Sequence, residues 1–208
     1  PTGSRAGVPP IPGLDRVPFL TNETLFDNTQ LPEHLVIIGA DTGAGDQWAP
    51  ETGLFEAIRD AGLPVIGVGA GGHAFLGRLG LPIGHPNGSA GTAAAIQVAD
   101  FGDSQAFYTN LTLPANNIVD VYTTPQSVIS IALSERPADG VRMASLAGDG
   151  SVFPIAKINR FALWGFGGAP AAMTDSGHTL FTNLATLATA KIEINLRGRT
   201  FVPSAGLD

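Results

Sequence analysis

The chain contains no cysteine. That excludes disulfides, zinc–thiolate sites and thiol nucleophiles together. It leaves the redox compartment open, because a cysteine-free chain suits either side of a membrane. Lysine is almost absent: Lys157 and Lys191 are the whole complement, and the arginines are scattered. Charged residues fill 14% of the 208 positions, against roughly a quarter in ordinary soluble domains. Net charge is −7 and the pI is near 4.9. Nucleic acid and anionic membrane surfaces need clustered Lys and Arg, so neither is expected as a main partner. No apolar run is long enough to span a bilayer, so membrane insertion is not expected.

What is present is apolar and small. Hydrophobic residues make up 44% of the chain, with 27 glycines and 16 prolines. That is ample for a core in one large α/β domain. The surface must then be rich in Thr, Asn, Ser, Gly, Ala and Pro. A weakly charged surface suits a chain that buries itself in an assembly, or a secreted one. The chain begins at Pro1 rather than Met, so a processed N-terminus is expected. Asn22, Asn87 and Asn110 open Asn-x-Ser/Thr sequons, candidate glycosylation sites, although chance accounts for such triplets in an Asn/Thr-rich chain. Together these features point to an extracellular or cell-surface location.

The chain divides into an extended Pro/Gly-rich arm (1–33), an α/β domain (34–190) and a C-terminal strand and tail (191–208). The arm's prolines forbid an interior strand, yet it carries Val8, Ile11, Leu14, Val17 and Phe19, which should lie along a surface. "HLVIIGA" (34–40) and "LPVIGVG" (63–69) are apolar runs ending in glycine, as in buried parallel strands. Helices are expected over 50–62, 71–80 and 174–190, the last capped by Thr174. Further strands are expected over 94–100, 117–124, 126–134 and 160–167, and a hairpin around "GDG" (148–150). Residues 81–91 look like a turn-rich loop. The predicted architecture is a flavodoxin-like parallel sheet between helices, with the hairpin added. In 191–203, Ile192, Ile194 and Leu196 alternate with polar residues, so this strand needs an edge to pair with, in its own chain or a neighbour's.

The chemistry-bearing segment is "PVIGVGAGGHAF" (64–75). Gly67-Val68-Gly69-Ala70-Gly71 keeps the flanking glycines of a nucleophile elbow, but Gly69 stands at the nucleophile position. "PVIGVGAGG" is similar to the elbow of class I glutamine amidotransferase-like domains, where the central residue is a cysteine. With "LVIIGADTG" before it and "FALWGFGGAPAAMTDSGHTLFTNL" after it, residues 34–190 resemble a divergent bacterial branch of that superfamily. In active members a His and a Glu follow the last core strand. The matching segment, Leu163 to Pro170, holds neither. The resemblance thus implies the fold and argues against covalent acyl transfer.

Other readings stay open. Gly67 to Gly72 formally fits G-x-G-x-x-G, with Asp100 as a distant ribose-binding acid, but a tight turn is the favoured reading and no cofactor is expected. Asp41, Thr42, Asp46 and Trp48 follow the first strand, and strand ends of this kind line ligand crevices. The glycine turn and the Trp164–Pro170 loop should open on the same side, with His73 and His85 as candidates to join them. No metal-ligand spacing supports a metal site. Ser89 and Thr42 are hydroxyls without an elbow. The leading expectation is a non-catalytic assembly module, a self-associating subunit of a homo-oligomer or filament using the arm and the C-terminal strand. A small-ligand-binding crevice is the alternative. A hydrolase built on Asp41, His73 or His85 is the third.

Overall fold

A computed structural model describes residues 35–43, 54–133 and 140–189. The arm with its five apolar residues, Asn22, Asp46, Trp48 and the 191–203 strand lie outside the described residues.

In chain order the elements are β1 (Val36–Ile38), α1 (Leu54–Asp60), β2 (Val65–Val68), α2 (Gly69–Arg78), β3 (Ser89–Ala93), β4 (Ala95–Val98), α3 (Phe101–Ser104) with a 3₁₀ turn (Gln105–Tyr108), β5 (Ile118–Asp120), β6 (Gln126–Ala132), β7 (Gly140–Leu146), β8 (Val152–Phe153), β9 (Ile155–Ile158), β10 (Phe161–Trp164), a 3₁₀ turn (Pro170–Ala172) and α4 (Asp175–Thr189). The seven-stranded sheet runs β1-β2-β10-β9-β7-β4-β5, and β3-β6-β8 form a second, three-stranded sheet.

The parallel expectation holds for one half of the main sheet. β1 and β10 flank β2 in parallel, with Val36 opposite Val65 and Phe161 opposite Val65 on the other side. Both faces of this half are covered, which explains the unbroken apolar runs. Ile66, Ala162 and Trp164 pack with Leu180 and Leu184 of α4. Val65 and Leu163 pack with Phe75 and Leu76 of α2 on the opposite face. In the other half, β7 and β9 pair antiparallel as the expected "GDG" hairpin, and the departure from a parallel sheet lies in β9 joining β10, and β4 joining β7 and β5, antiparallel. A parallel pair needs a long crossover. The turn at Gly148-Asp149-Gly150 between β7 and β9 is too short to provide one.

Smaller differences have local causes. The "GDG" hairpin forms, but Val152 and Phe153 leave it to pair with Ile131 and Ala132 of β6. The expected loop 81–91 ends in β3, whose Ser-Ala-Gly-Thr-Ala is small, mostly exposed and without apolar alternation. α3 is a single short turn of helix, too short to leave a periodic signal. The cap on α4 is as expected: Thr174 Oγ1 accepts from Gly177 N at 3.0 Å.

Candidate functional site

Three loops meet at the C-terminal ends of β1, β2 and β10, and they enclose a cavity of about 590 Å³. Gly39 to Asp41 come from β1, Val68 from β2, and Trp164 with Gly167 to Pro170 from β10; Met173 and α4 supply the remaining wall. The shared opening of these loops agrees with the sequence reading.

The β1 loop folds back on itself. Thr42 N and Thr42 Oγ1 both donate to Gly39 O, at 3.3 and 2.8 Å. This ties up the Thr42 hydroxyl and leaves Asp41 exposed at the cavity mouth.

The glycine turn leads from β2 straight into α2, with Gly69 at the junction. Gly69 sits at φ +52°, in the left-handed region. A Cβ there would lie 2.7 Å from Ala40 Cβ and 3.0 Å from Gly167 Cα. The neighbouring loops therefore fill the space where a nucleophile's side chain would stand. Behind it, Gly67 lets α2 approach β2, since a Cβ would stand 2.7 Å from Gly72 O. The phosphate-cradle reading also meets an obstacle. Gly71 N donates to Ala40 O at 3.1 Å, so the β1 loop already occupies this helix start. A Cβ on Gly71 would meet Gly39 O and come within 2.6 Å of Thr42 Oγ1, which leaves no space for pyrophosphate. Asp100 is held elsewhere, in a two-pronged pair with Arg142 at 2.7 and 2.9 Å.

The β10 loop forms a fixed wall. Trp164 Nε1 donates to Tyr122 Oη at 3.3 Å, and that hydroxyl donates to Gly168 O at 3.2 Å. Gly167 N donates to Ser127 O at 2.8 Å. Trp164 meets Phe181 edge-on, with ring centroids 5.1 Å apart at 86°.

The two histidines named from the sequence do not reach this cavity. His73 lies on α2 but is buried on the other side, its Nε2 2.6 Å from Asn87 O. Burial holds its pKa below the ordinary value; the Asn87 carbonyl opposes this, and His85 adds to it. His85 packs edge-on against His73 at 6.0 Å and lines a separate depression with Gly77 and Pro82. Ser89 is on β3, opposite Ser130. Asp41, His73 and His85 are therefore not brought together. Among the described residues no group of three or more His, Asp or Glu side chains could hold a metal ion.

Sequence reasoning missed the α4 contribution. His178, Phe181 and Thr182 line the cavity at i, i+3 and i+4, on one helix face. A signal was available: a helix that begins just after a loop at a strand's C-terminal end must start beside the crevice.

Two sequons differ in availability. Asn87 Nδ2 donates to Pro82 O and Ala132 O at 2.7 and 2.9 Å, and its Oδ1 accepts from Ala132 N at 3.3 Å. Asn110 is exposed in a turn at φ +64°.

Models of known protein families were compared with the chain and none matches, nor does any curated protein.

Proposed function

We propose that this chain carries a glutamine amidotransferase-like domain of flavodoxin-like descent, without acyl-transfer chemistry, that binds a small apolar ligand in the crevice above β1, β2 and β10. One observation carries the reading. The nucleophile's place at Gly69 is closed by Ala40 and Gly167, while about 590 Å³ remains open beside it. That volume falls within the usual range for small-molecule sites, and its lining is mostly apolar with a few polar groups at the mouth.

The test is ligand-dependent stability. A bound apolar compound at a hundred times its Kd should add about 2.7 kcal/mol to unfolding. Thr182→Trp, at an exposed helix position on the cavity wall, should fill the crevice and remove that gain. A gain that survives Thr182→Trp would place the ligand elsewhere and refute the reading.

Self-assembly is a second reading. Among the described residues β1 is an outermost strand of the main sheet, and such an edge is where a neighbour's strand can add. On this reading the protein is an extracellular homo-oligomer or filament. Light scattering of the chain with and without residues 1–30 decides it: loss of assemblies on truncation supports it, and a monomer in both cases excludes it.

A further inference from the structure

We infer that the crevice selects a hydrophobic organic cation, an amine or quaternary ammonium head on an aromatic or alkyl body. This rests on the proposal that the crevice binds a ligand, and it names the ligand's charge.

The body follows from the walls. Val68, Met173, Trp164 and Phe181 surround the interior. The head follows from the charges. Asp41 places a carboxylate at the mouth, and among the described residues no lysine or arginine lines the cavity. The Asp41 carboxylate makes no hydrogen bond or ion pair among the described residues. An approaching ammonium therefore meets an uncommitted partner.

An anionic head meets the reverse. The Gly71 N–H, which would be an anion donor at the start of α2, is already bonded to Ala40 O at 3.1 Å. Among the described residues no lysine or arginine stands on the lining, so a carboxylate or phosphate would lose hydration there with no ammonium or guanidinium to replace it. Zwitterionic amino acids carry the same penalty through their carboxylate.

Trp164 and Phe181 meet edge-on at 86° with 5.1 Å between centroids, and Trp164 is fully buried, so the aromatic pair supplies apolar wall and leaves the charge preference to Asp41. His178 also stands on the lining, so each comparison is repeated on His178→Gln.

The experiment uses three compounds with one body and different heads: phenylbutylamine, phenylbutanol and phenylbutyrate. Dissociation constants are measured by calorimetry on the full chain and on Asp41→Asn. The amine should bind about 1.4- to fivefold more tightly than the alcohol, the range for an exposed ion pair, and the carboxylate should bind most weakly. In Asp41→Asn the amine should fall to the level of the alcohol on the same variant. If alcohol and amine bind equally to the native chain, or if Asp41→Asn leaves the preference intact, the inference is overturned while the binding crevice stands. If phenylbutyrate binds most tightly, the sign is wrong. If none of the three binds, both the inference and the proposal beneath it fail.

Discussion

Adding one methyl group at Gly69 tests the account of the closed elbow. Gly69→Ala puts an L residue at φ +52°, where its Cβ costs about 1–2 kcal/mol through backbone sterics alone. The new carbon would also lie 2.7 Å from Ala40 Cβ and 3.0 Å from Gly167 Cα. Ordinary carbon contacts are wider, and both neighbours are tied down. Ala40 O is bonded to Gly71 N, and Gly167 N to Ser127 O. Overpacking of this kind costs about 1–3 kcal/mol. The sum is about 2–5 kcal/mol, a large part of the roughly 5–15 kcal/mol that holds a domain folded. Urea denaturation should show the midpoint falling with an unchanged slope. The second half of the test is Ala40→Gly in the same chain. It removes the 2.7 Å contact but leaves the dihedral strain and the Gly167 contact. The double variant should therefore recover part of the loss, with a coupling energy of about 1 kcal/mol or more. A Gly69→Ala variant within about 0.5 kcal/mol of the native chain would refute the closed elbow, since that is the scatter of inconsequential substitutions.

Three further outcomes follow from other contacts. His73 has a folded pKa held below its ordinary 6.5, mainly by burial, so the unfolded chain binds a proton at pH values where the folded chain does not. Its contribution is intact above about pH 6.5 and stability declines as pH falls through that value towards the folded pKa; chemical denaturation across pH should show the decline, and His73→Gln should flatten it. Arg142→Met strips the partner from Asp100, whose side chain is only 20% exposed, and should lower unfolding free energy by about 1–3 kcal/mol in denaturant titration; a change below about 0.5 kcal/mol would show the pair to be inert. In a glycosylating secretory host, mass spectrometry should find glycan on Asn110 and not on Asn87, because folding commits both Asn87 Nδ2 hydrogens; glycan on Asn87 in folded protein would contradict that geometry.

The parallel half of the fold was legible because its cause is local. A strand buried on both faces must be apolar throughout, and "PVIGVG" and "FALWGF" have no polar side chain to expose. The cap at Thr174 was legible for the same reason, since the hydroxyl and the amide it serves are three residues apart. In the antiparallel half the β7–β9 hairpin was legible from its "GDG" turn, but the pairing of β9 with β10 and of β4 with β7 and β5 was not, because it depends on loop reach and partner availability, and neither leaves a periodic mark. β3 shows the limit most clearly: Ser-Ala-Gly-Thr-Ala becomes a strand only because β6 lies beside it. Asp41 and the Trp164–Pro170 loop were expected at the crevice from the rule that strand ends line crevices and stand on the cavity lining, whereas Gly69, singled out by its glycine pattern, does not line it. His73 was misplaced relative to them because a helical residue's direction is set by which face packs inward. At His73 that face turns towards Asn87, away from the cavity.

The crevice is held open rather than left over, and this bears on what it can do. One wall, Gly167 to Pro170, belongs to the 165–170 loop, which backbone hydrogen bonds hold. Gly165 N is bonded to Pro154 O at 2.7 Å, Ile129 N to Gly165 O at 2.9 Å, and Gly167 N to Ser127 O at 2.8 Å. These bonds pin the loop to β6 and to the residue joining β8 and β9. Moving it would break several of them, at a net cost of about 1 kcal/mol each and more for any group left buried without a partner. The tryptophan wall is fixed in the same way, through Tyr122 to Gly168 O. A preformed cavity spares a ligand the cost of ordering loops, which favours the proposed binding over a crevice that must form on demand. The glycine that leaves no room for a nucleophile thus serves the cavity as well. It lets Ala40 and Gly167 approach each other at the back, while the wall in front stays where β6 holds it.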